Sequence, residues 1–146
     1  MIRGISAEAE GGVLLKKIMQ SIDCAGHNWY VDESISNPFP LVDGEYKGNK
    51  ILTLIDELSA ISEFSFLRLQ RYPEECAVKE VEKIATYDDF LKSQCDFLAL
   101  YYDAYYYFLY AKDLRLINRV YRMLRRNNFA SFIITDLNDP RRNMYT

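Results

Sequence analysis

The sequence predicts an α+β fold of α/β-like character, with a mixed sheet of about five or six strands, a central antiparallel hairpin and βαβ units near both ends. Three observations predict it. Phe97 to Tyr110 reads Phe-Leu-Ala-Leu-Tyr-Tyr-Asp-Ala-Tyr-Tyr-Tyr-Phe-Leu-Tyr, aromatic or aliphatic almost throughout, which suits a buried pleated surface better than a one-sided helix. Segments with helical spacing lie between strand-like runs near both ends, the order that parallel crossovers require. Finally, 146 residues at 49% hydrophobic content suffice for one core, so a single domain over 1–146 is expected, with a frayed tail over 137–146.

Taken in order, Ile2 to Ala9 alternates weakly and ends at Glu10-Gly11-Gly12, the first strand. Leu15, Ile18, Met19 and Ile22 then recur at helical spacing, with Lys16, Lys17 and Gln20 on the wet side and Gly26 beyond the stop. Asn28 to Val31 is a short strand. The irregular stretch from Asp32 to Gly48 reads as a loop, either a binding loop or a surface connection. Asn49 caps a helix with an inner face of Ile51, Leu54, Ile55 and Leu58. Phe64 to Gln70 is a strand ended by Arg71-Tyr72-Pro73, and Val78 to Ile84 fits a helix stripe or an edge strand equally. Thr86 is an N-cap, with Asp88 and Asp89 in the first turn where negative charge complements the helix dipole.

In the hairpin, a two-residue turn at Asp103-Ala104 pairs Tyr102 with Tyr105. That register puts Leu98, Leu100, Tyr102, Tyr105, Tyr107 and Leu109 on one face and leaves Tyr101, Tyr106 and Tyr110 on the other. Alanine lacks the conformational freedom that tight hairpin turns favour, so a longer loop is the alternative. A rival long helix has nothing local against it, since no Gly or Pro occurs between Pro73 and Pro140, but the residues lack a one-sided period. Asp113 then caps a helix with a buried stripe of Ile117, Val120, Tyr121 and Leu124, stopped by Asn127 and Asn128, before a last strand from Ala130 to Thr135.

Arg3-Gly4-Ile5-Ser6, Asn28-Trp29-Tyr30 and Thr86-Tyr87-Asp88-Asp89-Phe90-Leu91-Lys92-Ser93 together resemble a bacterial family of about 150 residues classed as a domain of unknown function. The resemblance implies no activity, cofactor or site residue.

Composition excludes several classes. No apolar run is long enough to span a membrane, and Met1 to Gly12 lacks the basic-then-apolar pattern of a signal peptide, so a cytoplasmic location is expected. Cys24, Cys76 and Cys95 are odd in number without a Cys-x-x-Cys spacing, against a disulfide framework or a zinc ribbon. There is no Gly-rich phosphate loop, serine-nucleophile elbow or histidine metal motif, so no cofactor is expected and catalysis is disfavoured. Paired acids at Asp32-Glu33, Glu74-Glu75 and Asp88-Asp89 point their side chains in different directions and do not make sites by themselves.

Net charge is −3, but residues 114–146 hold seven arginines against Asp136 and Asp139, a local +5 that leaves about −8 elsewhere. Arg115, Arg119, Arg122 and Arg126 fall at i, i+4, i+7 and i+11, on the face opposite the apolar stripe. Such a face suits phosphates or an acidic partner, and also describes a solvated helix surface. The function expected is therefore a small non-catalytic binding or protein-interaction module, with another protein or a second copy as partner. Its surface would be Tyr101, Tyr106 and Tyr110 with the four arginines. One alternative is a small hydrolase or transferase centred on His27 and Cys24, the lone histidine and a thiol three residues before it. A third reading, nucleic-acid binding through the arginine face of helix 114–126, is disfavoured by the acidic whole.

Overall fold

The computed structural model describes residues 1–10, 13–36, 43–59, 64–74, 84–103 and 105–139. Among these, the strands are β1 (Ile2–Glu8), β2 (His27–Ser36), β3 (Gly44–Lys47), β4 (Phe64–Pro73), β5 (Phe97–Tyr102), β6 (Tyr106–Ala111) and β7 (Ala130–Thr135). The helices are α1 (Val13–Ser21), α2 (Lys50–Ser59), α3 (Tyr87–Lys92) and α4 (Leu114–Arg126). The strands form one seven-stranded sheet in the order β3-β2-β4-β5-β6-β1-β7, and every neighbouring pair is antiparallel.

This corrects the expected α+β fold of α/β-like character, with its mixed sheet of about five or six strands and terminal βαβ units: the fold is strand-rich, one antiparallel sheet with four helices among the described residues. The strand-helix-strand segments exist, but their strands are not neighbours. β6 and β7 run the same way on either side of α4, and β1 is wedged between them, pairing Ile5 with both Leu109 and Ile133. β1 and β2 also run the same way, with β4, β5 and β6 between them. A split crossover of this kind places an antiparallel strand in the slot that a parallel neighbour would take. Periodicity reports each strand but not what lies beside it, which is set by contacts distant in sequence. The additional strand, β3, comes from within the expected loop and pairs Gly44–Lys47 with Asn28–Val31. β4 also runs past its expected end, through Arg71 and Tyr72 to Pro73.

The hairpin register is one residue longer than the two-residue turn implies. Tyr102 pairs with Tyr106, and Asp103 takes φ 55°, a left-handed conformation that aspartate tolerates better than most residues. A one-residue shift turns over a whole strand. Phe97, Ala99, Tyr101, Tyr107, Leu109 and Ala111 therefore share one face, and Leu98, Leu100, Tyr102, Tyr106, Phe108 and Tyr110 the other.

The first of these faces is covered by α1, α2 and α4. Leu14, Leu15, Ile18 and Met19 of α1, Ile51, Leu54 and Ile55 of α2, and Leu116, Ile117, Val120 and Leu124 of α4 pack there on Trp29, Val31, Leu67, Leu69 and Leu109. The opposite face carries α3, whose Tyr87 and Phe90 join Tyr30, Tyr72, Leu98, Leu100, Phe108 and Tyr110. Helix α3 is held by a capping box in which Thr86 accepts from the Asp89 amide, while the Asp89 carboxylate accepts from the Thr86 amide. Segment 76–85, ambiguous between helix and strand, lies outside the described residues except for Ile84, which is buried, and Ala85. Of the tail expected to fray, Asn138 is hydrogen-bonded to Thr135, and Asp139 to Arg3 and Tyr110; residues 140–146 lie outside the described set.

Candidate functional site

Helix α4 is specified at both ends. The Asp113 carboxylate accepts from the Arg115 amide at 2.9 Å, and the Asn127 amide donates back to Met123, where Arg125 and Arg126 complement the helix dipole. Its stripe of Leu116, Ile117, Val120 and Leu124 is buried against the sheet, so the intervening side chains are turned outward. Arg115, Arg119, Arg122 and Arg126 are all exposed, and they line one open groove of about 580 Å³ together with Ser21 and Asn118. Arg115 is tied to Asp113 through Nε and Nη2, each at 3.2 Å. Arg119, Arg122 and Arg126 have no ion pair or hydrogen-bond partner among the described residues.

At the N-terminal end of α4 the groove meets a second hollow, of about 480 Å³, which shares Arg115 and Arg119 with it. Arg71, at the end of β4, is buried here at 7% exposure. Its Nε donates to Asp96 Oδ1 at 2.8 Å and its Nη1 to the Asp23 carbonyl at 3.1 Å. His27 stands beside them, Nδ1 lying 3.2 Å from the Ala25 carbonyl and Nε2 3.8 Å from Asp96 Oδ2. Lys112 lines the rim and donates from Nζ to the Ser93 carbonyl. Asp96, Arg71 and Lys112 were not legible as site residues. They come from the ends of three different strands, and no local spacing joins them; the only sequence signal is the lone histidine.

The structure separates the tyrosines expected on the interaction surface. Tyr101 is buried at 4% exposure under the helices, stacked on Tyr107 at 4.6 Å between ring centroids. Tyr110 is fully buried on the opposite face, where its hydroxyl donates to Asp139 at 3.1 Å. Only Tyr106 reaches the surface, at 37% exposure. It lies near the hairpin tip on the face away from α4, so tyrosines and arginines do not form one surface. The leucines also divide: Leu98 and Leu100 are buried on the α3 face and Leu109 on the helix face.

His27 and Cys24 are not joined either. The Cys24 thiol is directed to the Met19 carbonyl at 3.6 Å, and burial pushes its pKa up to about 11, so it is a protonated core thiol and not an activated nucleophile. Cys95 is likewise buried and pushed up to about 12, chiefly by desolvation. Among the described residues no group of three or more His, Cys, Asp or Glu side chains is placed to hold a metal ion. Nor is any described helix long and apolar enough to cross a membrane.

Comparison with known proteins bears out the resemblance to a family of unknown function. The chain is 26% identical over 162 aligned positions to a Bacillus subtilis (strain 168) protein described as "Uncharacterized protein YncE", covering 97% of each chain. No solved structure matches. A family model described as "Protein of unknown function (DUF2691)" matches residues 2–145, and the chain belongs to that family.

Proposed function

We propose that the chain is a single-domain, non-catalytic binding module that docks an acidic segment of a partner protein along the arginine face of α4. The observation that carries this reading is the row of Arg119, Arg122 and Arg126, exposed in one groove and without an ion pair or hydrogen bond among the described residues. Like charges at helical i, i+3 and i+4 spacing repel, costing about 0.2–0.5 kcal/mol per pair. Dipole complementarity accounts for Arg125 and Arg126 in the last turn, but not for Arg119 and Arg122. An anionic partner relieves the repulsion, and the guanidinium fork matches carboxylates in a bidentate geometry.

Protein is favoured over nucleic acid because the basic character is confined to one helix face of a chain whose net charge is −3. A polyanion of high charge density would meet the acidic remainder as well. The His27 and Cys24 hydrolase alternative lacks a nucleophile, since that thiol is buried and protonated.

The test is binding of a fluorescent Glu-rich peptide of about ten residues, long enough in extended form to span the helix face. The expected result is affinity that falls with added salt and drops about tenfold in Arg122→Glu and Arg126→Glu. Binding indifferent to both substitutions, or tighter binding of a DNA or RNA oligomer of equal length at low salt, overturns it.

A further inference from the structure

The hollow at the start of α4 has more cationic groups than its own ion pair uses. Asp96 already neutralises Arg71, and the Asp23 carbonyl fixes the guanidinium from a second side. These are the only acceptors on Arg71 among the described residues, so its remaining N–H groups have no acceptor among them. Burying a guanidinium is costly unless its donors are used, and one shared carboxylate leaves that demand partly unmet. Lys112 and Arg119 converge on the same space from the rim, with Arg115 and His27 beside them. The facing carboxylates are Asp23, Asp96 and Asp113, and the last two are already bonded to Arg71 and Arg115. Cations therefore exceed anions in the lining.

The donors approach from different directions. Arg71 lies at the floor on the strand ends, Lys112 at the rim before α4, and Arg119 one turn along the helix beyond Arg115. A planar carboxylate presents two oxygens, whereas a phosphoryl group presents three and carries about −1.5 to −2 charge at neutral pH. We infer that this hollow is a phosphoryl subsite, taking the phosphate monoester of a phosphorylated acidic segment whose flanking carboxylates lie along Arg119, Arg122 and Arg126. The inference rests on the acidic-partner reading and names the chemistry at one end of it. Continuity supports a single extended ligand, because the hollow and the groove share Arg115 and Arg119.

Two Glu-rich peptides of about ten residues, identical except for a terminal serine or phosphoserine, are titrated against the full chain by fluorescence anisotropy at about 0.1 M salt. The phosphopeptide is expected to bind about tenfold tighter, a gain matching about 1.4 kcal/mol. His27→Gln and Lys112→Gln, which line the hollow and not the groove, should reduce that gain to less than about threefold while leaving the serine peptide unaffected. Arg71→Gln is avoided because the residue is buried and its loss can unfold the chain. Equal affinities for the two peptides, or a gain that survives both substitutions, overturn the subsite. Arg122→Glu lies outside the hollow and should weaken both peptides alike; if it changes neither while the phosphate gain persists, the acidic-segment reading falls.

Discussion

The two sides of the sheet are held by different chemistry. On the helix side, α1, α2 and α4 interlock Leu, Ile, Val and Met with Trp29, Leu69 and Leu109, an apolar interior filled by shape. The α3 side is as well buried yet far more polar. Arg68 at 1% exposure, Gln70 at 0% and Tyr72 at 0% sit there among Tyr30, Phe108 and Tyr110. The Tyr72 hydroxyl donates to Gln70, Tyr30 bonds Glu45 at 3.2 Å, and Arg3 lies over the Tyr87 ring at 4.5 Å. One side is stabilised by non-directional burial and depends on volume; the other adds directional bonds between buried polar groups, and breaking one leaves its partner unsatisfied. The working surface proposed for α4 belongs to the first side, where the apolar stripe does the packing and leaves the outer face unconstrained.

The largest expected effect removes the platform that both sides share. A Cβ on Gly4 would lie 2.0 Å from the Leu109 carbonyl oxygen, a backbone atom of the adjacent strand that cannot move without parting β1 from β6. Gly4→Ala should therefore abolish the cooperative unfolding transition or cost at least about 4 kcal/mol in urea denaturation. Ile18→Ala tests the helix side: this fully buried residue should cost about 3 kcal/mol by the same measurement, through lost burial and a cavity. Tyr110→Phe keeps the ring and deletes only the hydroxyl that reaches Asp139, so a loss of about 1 kcal/mol is expected on the α3 side. Should that smaller change equal the isoleucine truncation, the polar side would be the main source of stability and the contrast would have to be reversed.

Local rules were enough for most elements. Thr86 and Asp113 announced their helices, and both are N-caps. The stripe of α4 was legible through Ile117, Val120 and Leu124, with Leu116 added and Tyr121 only partly buried. Hairpin strands were legible too, but their faces were not, because the register depends on Asp103 adopting a left-handed conformation that its composition permits without demanding. Strand adjacency escaped for a different reason. Nothing in Ile2–Glu8 indicates that both its neighbours lie about a hundred residues onward, with Gly4 opposite Tyr110 and Ile134. The same distance hid the hollow: Arg71 reads as a strand terminator and Asp96 as part of a connection until β4 and β5 lie side by side. The arginine row, in contrast, is contained in one helix and was visible from spacing alone.

The position of β1 also sets a schedule. Of the described strands it is synthesised first and is among the last able to pair, since β6 and β7 must emerge before it has either neighbour. Until then Ile5, fully buried in the finished fold, lacks its strand neighbours Leu109 and Ile133. Closing so long a loop slows folding more than it weakens the final state, because loop entropy grows only logarithmically with length. The sheet thus stays unfinished until β6 and β7 have been made, because the slot between them is the place of β1.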